Sequence, residues 1–426
     1  MSPLMSQTPA VSEADQVTED NADMKRFIVI QMGARMHYAV PALLASRGML
    51  DRVYLDAHAD LRSIRGLERL WPKSFQPKAL RRLMGHRLPA EIPRDRVESY
   101  FARTVMDRCG LGSVEDHIRR QILKHGFGRA DSLYSFINGD LEIVTQAKRS
   151  GLQVVHEQIS TPDVGLIMHQ ERETYPGIET QDPLALIETG ISRDQEQWRL
   201  ADRILVASTF VHDRTLAMGA TPNKVFLVPY GVPATWLEER PTPKIGRVLC
   251  VGKVGLLKGN HYLAAAERQL NRRGFHYEFR VVGPVRRDVA SLPLFQGPTY
   301  IGQVPRNEVR REFLTADVFV LPTLSEGCAL VHLEALACGV PVITTPNCGS
   351  VVRDGIEGFI VPIRDPVALA DRIQELVEGR QLRESMSQRA RARAKDFTWS
   401  RYGERLLNAI THEQPSKHAV LSLPQR

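Results

Sequence analysis

The stretch Pro322-Thr-Leu-Ser-Glu326-Gly327-Cys328-Ala329-Leu330-Val-His-Leu-Glu334-Ala-Leu-Ala-Cys338-Gly339-Val-Pro341 decides how this chain reads. The apolar run Val318–Leu321 ahead of it predicts a strand that stops at Pro322. Ser325 is placed to cap a helix that starts near Gly327, runs to Ala337 and stops at Gly339. The free N–H groups at such a helix start favour a phosphate. Glu326 falls just before the helix and Glu334 about two turns inside it. At about 100° per residue the two acids come within about 80° of one another and can face one ligand. The helix is otherwise apolar, through Ala329, Leu330, Val331, Leu333, Ala335, Leu336 and Ala337. An unpartnered Glu334 would be costly in that company, so donors are expected around it.

Upstream, the run Arg247-Val-Leu-Cys-Val ends in Gly252-Lys253-Val-Gly-Leu-Leu-Lys258-Gly259. A glycine loop at the carboxyl end of a parallel strand is where such sheets bind ligands. Two lysines in it point to an anion, because charge-assisted bonds to phosphate are strong. The loop is not a Walker loop, since no Ser or Thr follows Lys258 in the right place, and it is not G-x-G-x-x-G.

Short apolar runs recur on both sides. They are Phe27–Met32, Arg52–Ala57, Ser132–Phe136, Leu152–His156, Arg203–Ser208 and Lys224–Pro229, then Arg247–Gly252, Tyr277–Gly283, Val318–Pro322 and Val340–Thr345. Their continuity, with helical stretches between, predicts strands buried on both faces of parallel sheets. The Pro-rich segment from Pro229 to Pro243 reads as a linker. The expected architecture is α/β, with two Rossmann-like βα domains and a cleft between them. Residues 1–24 form an acidic tail and 25–235 the first domain; 236–396 form the second. Residues 397–412 make a last helix returning toward the first domain, and 413–426 a loose tail. Residues 62–96 interrupt the rhythm with ten Lys or Arg residues between Arg62 and Arg96, alongside Trp71 and Phe75. They read as a solvated helical insertion or as a surface that meets anionic lipid or an anionic acceptor.

Composition narrows the function. The net charge is +7, which suits phosphorylated substrates or an anionic membrane. No aromatic-interleaved basic motif of the common nucleic-acid modules appears, so nucleic acid is not an expected partner. The five cysteines make no C-x-x-C pair, which argues against a disulfide framework or zinc site and fits a reducing cytoplasm. The first 24 residues carry no Lys or Arg and no apolar core, so they do not read as a signal peptide. No run approaches the roughly 18 apolar residues of a membrane span.

The order of motifs resembles family 4 of the retaining glycosyltransferases, which have the GT-B fold. The matching pieces are Ala201–Ser208, Val228–Val232, Val251–Lys253 with Lys258-Gly259, Val282–Pro284, Ile301–Pro305, Ala316–Pro322, Glu326–Ala335, Gly339–Ile343 and Asp354–Gly358. The resemblance implies that Lys253 and Lys258 neutralise a donor diphosphate. It also implies that Glu326 meets the sugar hydroxyls and that Gly327, Cys328, Ala329 and Leu330 hold a phosphate. Glu334 would bind the ribose, and Val304, beside Gln303, the base. Lysine at 253, where the family usually has arginine, keeps the charge and loses the planar fork. The family reaction retains anomeric configuration, needs no metal and no cofactor, and takes the nucleotide-diphosphate sugar as co-substrate. A glycan or lipid-linked acceptor follows, with a cytoplasmic location, peripheral at the inner membrane face.

The N-terminal half departs from the family, with one glycine where the first loop often has two. Gly33 would approach the diphosphate, and Arg35 or His37 the phosphate or acceptor. In Val154-Val-His156-Glu157-Gln158, His156 is the candidate catalytic histidine, Glu157 a candidate acceptor contact, and Gln158 the alternative occupant of the histidine's place. Three other readings are open: a nucleotide-sugar epimerase, a sugar phosphorylase, and a non-catalytic module that keeps the donor site.

Overall fold

The apolar runs become strands. In the computed structural model, which describes residues 24–59, 87–136 and 140–411, one sheet holds β1 (Phe27–Gln31), β2 (Leu50–Leu55), β3 (Val97–Ser99), β4 (Ser132–Ser135), β5 (Gln153–Gln158), β6 (Arg203–Val206) and β7 (Val225–Leu227). Its order is β3-β2-β1-β4-β5-β6-β7. The other holds β8 (Arg247–Val251), β9 (Glu278–Val282), β10 (Thr299–Gly302), β11 (Val318–Leu321), β12 (Val342–Thr344) and β13 (Gly358–Ile360), in the order β10-β9-β8-β11-β12-β13. Both are parallel sheets, and β1, β6, β8 and β11 are buried along their whole length. Three strands escape the sequence reading: β3, β10 and β13. Each lies at a sheet edge, where a strand is covered on one side only and has no need of a continuous apolar run.

The chain packs as two compact units. One runs to Ser135 and takes in Thr145–Val154; the other comprises Phe136–Val144 and everything from Val155 on. In the first unit, β1 feeds a loop at Gly33, a one-turn helix over Arg35–Tyr38 and then α1 (Ala39–Ser46). Helices α2 (Phe101–Arg108) and α3 (Val114–His125) follow, with Ser113 capping α3 through the Asp116 N–H. Helix α4 (Leu141–Arg149), which is divided between the two units after Val144, leads into β5.

The second unit contains α5 (Val164–Thr174), α6 (Leu184–Leu200), α7 (Thr209–Ala217), α8 (Asn260–Arg272), α9 (Arg306–Thr315), α10 (Leu330–Ala337), α11 (Pro366–Glu378), α12 (Arg380–Ala394) and α13 (Trp399–Thr411). The last helix and the turn that leads into it are anchored firmly. Val232 N–H donates to Phe397 O at 2.8 Å, Arg405 to Pro229 O at 2.9 Å and Arg203 to Ala409 O at 2.5 Å.

Several expectations fall outside the described residues: the acidic tail up to residue 23, the tail from 413, and all of the basic stretch 62–96 except 87–96. Among the described residues, no helix is long and apolar enough to cross a membrane. The cysteines among them are free thiols.

Candidate functional site

In the second sheet the strand order reverses between β8 and β11. Loops leaving neighbouring strands there part in opposite directions and leave a crevice at their carboxyl ends. The loop after β8 is Gly252–Gly259, and the loop after β11 is Pro322–Ala329. Every donor-side candidate except Gly33, Val304 and Glu334 lies on one of these loops or, for Leu330, one residue beyond.

The two loops are tied at several points. Leu257 O accepts from Leu324 N at 2.9 Å and from the Thr323 hydroxyl at 2.8 Å. Gly259 has φ 68°, and a Cβ there would stand 1.9 Å from Pro322 O, so only glycine lets the loops close up. Across this contact the Lys258 ammonium meets the Glu326 carboxylate. Burial pushes the Lys258 ammonium down to about 8. Lys253 on the same loop is exposed and has no ionic partner among the described residues.

The Glu326 loop is clamped from its other side. A Cβ on Gly327 would fall 1.6 Å from Ile159 O, so the loop lies directly on the turn after β5. Ser208, the N-cap of α7, donates to Gly327 O at 2.6 Å. The hydroxyls of Thr161 and Ser325 lie 2.9 Å apart, and Glu326 N–H donates to Asn347 O at 2.8 Å. This clamp corrects two expectations. Ser325 caps nothing, since its hydroxyl faces Thr161, and the helix begins at Leu330 rather than near Gly327. Held on Ile159, the chain stays extended through Ala329, which has φ −74° and ψ 97°. Glu326 is therefore off the helix, and the angular argument that paired it with Glu334 does not apply. The start of α10 carries no side-chain cap, so its first N–H groups are open to a ligand.

Glu334 lies inside α10, 4% exposed. Burial pushes its carboxyl up, opposed by Arg306, whose Nη2 donates to Oε1 at 2.8 Å. Arg306 opens α9, directly after the loop that carries Val304, which is half-buried. The sequence reading expected a donor for Glu334 and missed this one, although Arg306 adjoins the matched motif Ile301–Pro305.

His156 does not reach an accessible surface. It is wholly buried in β5, its Nε2 is 3.1 Å from Gln158 Oε1, its Nδ1 has no partner, and burial lowers it to about 4. Gln158 is the hub beside it: it accepts from Trp198 Nε1 at 3.0 Å and donates to Asp194 and to Ser160 O at 3.1 Å. Glu157 is buried and accepts from the Tyr230 hydroxyl at 2.6 Å.

Gly33, Arg35 and His37 belong to the first unit. Gly33 N–H donates to Asp56 at 2.9 Å. Arg35 and His37 are exposed, and Met36, His37 and Tyr38 are consecutive left-handed residues with φ 46°, 55° and 61°. Strain of this kind in non-glycine residues costs of order 1–3 kcal/mol each and gathers at functional sites. Among the described residues no three His, Cys, Asp or Glu side chains form a group that could hold a metal ion.

Residues 246–379 match the family model of the glycosyl transferases group 1. A Salmonella typhimurium protein assigned to colanic acid biosynthesis as a glycosyltransferase, WcaL, is 30% identical over 235 residues, 51% of this chain and 58% of that protein. The D-inositol 3-phosphate glycosyltransferase of Paenarthrobacter aurescens is 31% identical over 236 residues, 49% of this chain and 58% of that protein. The chain thus spans a little over half the length of these curated relatives. Anabaena Alr3699/HepE, solved in complex with UDP and glucose, matches with a TM-score of 0.61 at 14% identity, over 90% of this chain and 98% of that one. At that identity the likeness speaks for the fold.

Two parallel α/β sheets, with a switch point in the second, define the class: the fold is that of the GT-B glycosyltransferases. Within it, residues 246–379 carry the likeness to the glycosyl transferases group 1.

Proposed function

We propose that the protein is a retaining glycosyltransferase. It moves a sugar from a nucleoside-diphosphate sugar to a hydroxyl of a glycan or lipid-linked acceptor in glycan, polysaccharide or glycolipid biosynthesis. The observation that carries this reading is the Lys258–Glu326 pair at the switch point, beside the open start of α10. In the free protein the two charges satisfy one another. A donor would separate them, its diphosphate taking the ammonium and its sugar hydroxyls the carboxylate.

Each residue then has a task. Lys253 and Lys258 neutralise the diphosphate, and N–H groups of Ala329 and Leu330 donate to a phosphate, aided by the helix dipole. Gly327 and Cys328 carry the backbone of that loop. Glu334 accepts the ribose hydroxyls, and Val304 meets the base. The sugar C1–O bond breaks toward the diphosphate while the acceptor oxygen attacks from the same face. The departing phosphate takes the acceptor's proton, so no side chain has to serve as the base. Fixed cations and N–H groups stabilise the leaving group's charge, so the mechanism needs no metal ion. The burial of His156 favours a scaffold role for it through Gln158.

We assign donor recognition to 236–396 and acceptor recognition to 25–235, where Arg35, His37 and Glu157 are the acceptor or phosphate candidates and Gly33 a candidate for the donor diphosphate. The relative assigned to colanic acid biosynthesis supports a polysaccharide product. The basic stretch 62–96 supports peripheral contact with an anionic membrane surface on the cytoplasmic side; sedimentation with anionic liposomes should drop when Arg81 and Arg82 become Glu.

The direct test is a thermal-shift screen against UDP-, GDP- and ADP-sugars, followed by NMR of the transfer product. One donor should raise the unfolding temperature by mass action. The product should keep the donor's anomeric configuration. Stabilisation by none of them contradicts the donor reading, and an inverted product contradicts retention.

A further inference from the structure

Glu334 is an acid in an apolar setting. Leu333, Ala335, Leu336 and Ala337 around it on α10 are all buried. Its Oε1 takes Arg306 Nη2 at 2.8 Å, and its Oε2 has no partner among the described residues. Arg306 is itself held: its guanidinium carbon lies 5.1 Å from the centroid of the Trp236 ring. Trp236 is buried and meets Phe313 edge-on at 6.1 Å. A guanidinium over an indole face is attracted by the ring's quadrupole, so Arg306 is oriented before any ligand arrives.

The other charged groups at this corner are engaged elsewhere. Arg310 on α9 pairs with Glu239 at 3.0 Å. Arg391 on α12 donates to Glu239 O at 2.7 Å and Ala337 O at 3.2 Å. The Cys338 thiol, pushed up by burial to about 12, is uncharged. Arg306 is thus the cation that opposes the effect of burial on the Glu334 carboxyl.

We propose that Arg306 is a positioning residue for the donor: it holds Glu334 as a carboxylate with Oε2 free to accept vicinal hydroxyls, which makes the protein select ribonucleotides over 2′-deoxyribonucleotides. The inference rests on the donor reading above and adds a residue and a selectivity to it. A carboxylate accepts from both hydroxyls of a ribose, and such charge-assisted bonds are roughly twice as strong as neutral ones. A carboxylic acid would instead bring its own proton and lose one acceptor. A partner that is buried and left unpaired is where discrimination becomes large.

The experiment is calorimetric titration of the tightest binder among UDP, GDP and ADP, and of its 2′-deoxy counterpart, into wild type, Arg306→Gln, Arg306→Lys and Glu334→Gln, from about pH 6 to pH 8. Wild type should prefer the ribonucleotide roughly tenfold throughout, a difference of one decade in Kd. Arg306→Gln should lose most of that preference at the acid end and regain part of it at the alkaline end. Arg306→Lys should restore it, and Glu334→Gln should lack it at every pH. An unchanged preference in Arg306→Gln across the range overturns the proposal.

A ligand-free arm separates this failure from failure of the donor reading. Without Arg306 the buried Glu334 holds a proton in the folded state that the unfolded chain gives up, so stability falls as pH rises. The stability gap between wild type and Arg306→Gln should therefore widen from about pH 5 to pH 8, and Glu334→Gln should abolish the widening. If no nucleotide binds wild type, the donor reading falls and the selectivity with it, and a widening gap then locates the fault in the reading and not in the pair. A constant gap overturns the role of Arg306 itself.

Discussion

Lys258 and Glu326 meet across the switch point of the second sheet, one on the loop after β8, the other on the loop after β11. Each is the other's partner in the free protein, and each belongs to a loop that glycine alone allows to close.

The first prediction concerns pH. Burial lowers the Lys258 ammonium to about 8, below its ordinary value of 10.5. Between those values the unfolded chain binds a proton that the folded chain does not, so this residue's contribution to stability rises with pH across that window. Donor affinity should run the other way, because a diphosphate needs the ammonium. Affinity should be level below about pH 8 and fall above it, by at most about tenfold per pH unit. Titration at several pH values checks this, and Lys258→Arg should remove the alkaline fall because arginine stays charged.

The second concerns space. Gly327→Ala puts a Cβ at 1.6 Å from Ile159 O, and Gly259→Ala puts one at 1.9 Å from Pro322 O. Backbone cannot yield as a side-chain tip can, so each should cost about 1–3 kcal/mol or more and weaken donor binding. Gly355 is also left-handed, at φ 71°, but a Cβ there meets nothing within 4 Å. Gly355→Ala should cost only the left-handed penalty of roughly 1–2 kcal/mol and leave donor binding intact. Denaturant unfolding and calorimetry together separate the two classes.

The third concerns the clamp. Ser208→Ala removes both the bond to Gly327 O and the cap on the Val211 N–H. The loss should be about 1–2 kcal/mol in stability, with a several-fold weaker donor Kd. Ser208→Thr, which keeps the hydroxyl, should recover both.

The fourth concerns His156. Buried and lowered to about 4, it stays neutral through the ordinary working range. The unfolded chain takes up a proton on this histidine near its ordinary value of 6.5. Stability should therefore fall as pH drops from there toward about 4. The pH–rate profile of transfer should show no limb from His156 near neutrality. NMR titration of its imidazole gives the check, and a midpoint near 6.5 in the folded protein would contradict the burial.

Much of this was legible in the sequence, for a physical reason. Strands covered on both faces, such as β8 and β11, must be apolar along their whole length, so Arg247-Val-Leu-Cys-Val and Val318-Phe-Val-Leu announce themselves. Edge strands such as Val97–Ser99 need no such run, and they were not seen. The loops Gly252–Gly259 and Pro322–Ala329 were legible because their glycines and charges follow those strands directly. The start of α10 was misplaced because Ser325 has the chemistry of a cap, while Thr161 and Ile159, some 165 residues earlier, decide where the loop lies. Partnerships such as Arg306 with Glu334, or Glu157 with Tyr230, join residues distant in sequence, and no local pattern encodes them. The left-handed run Met36–Tyr38 contains no glycine or asparagine to signal it.

The central claim is that the switch-point loops grip the diphosphate and that Glu334 holds the ribose. Calorimetric titration of the stabilising nucleotide sugar into wild type, Lys258→Ala and Glu334→Ala tests it most directly. Each variant gives up charge-assisted bonds worth roughly 1.5–3 kcal/mol, so each should bind at least about tenfold more weakly, with the fold intact by circular dichroism. Near-wild-type affinity in both variants would contradict the account.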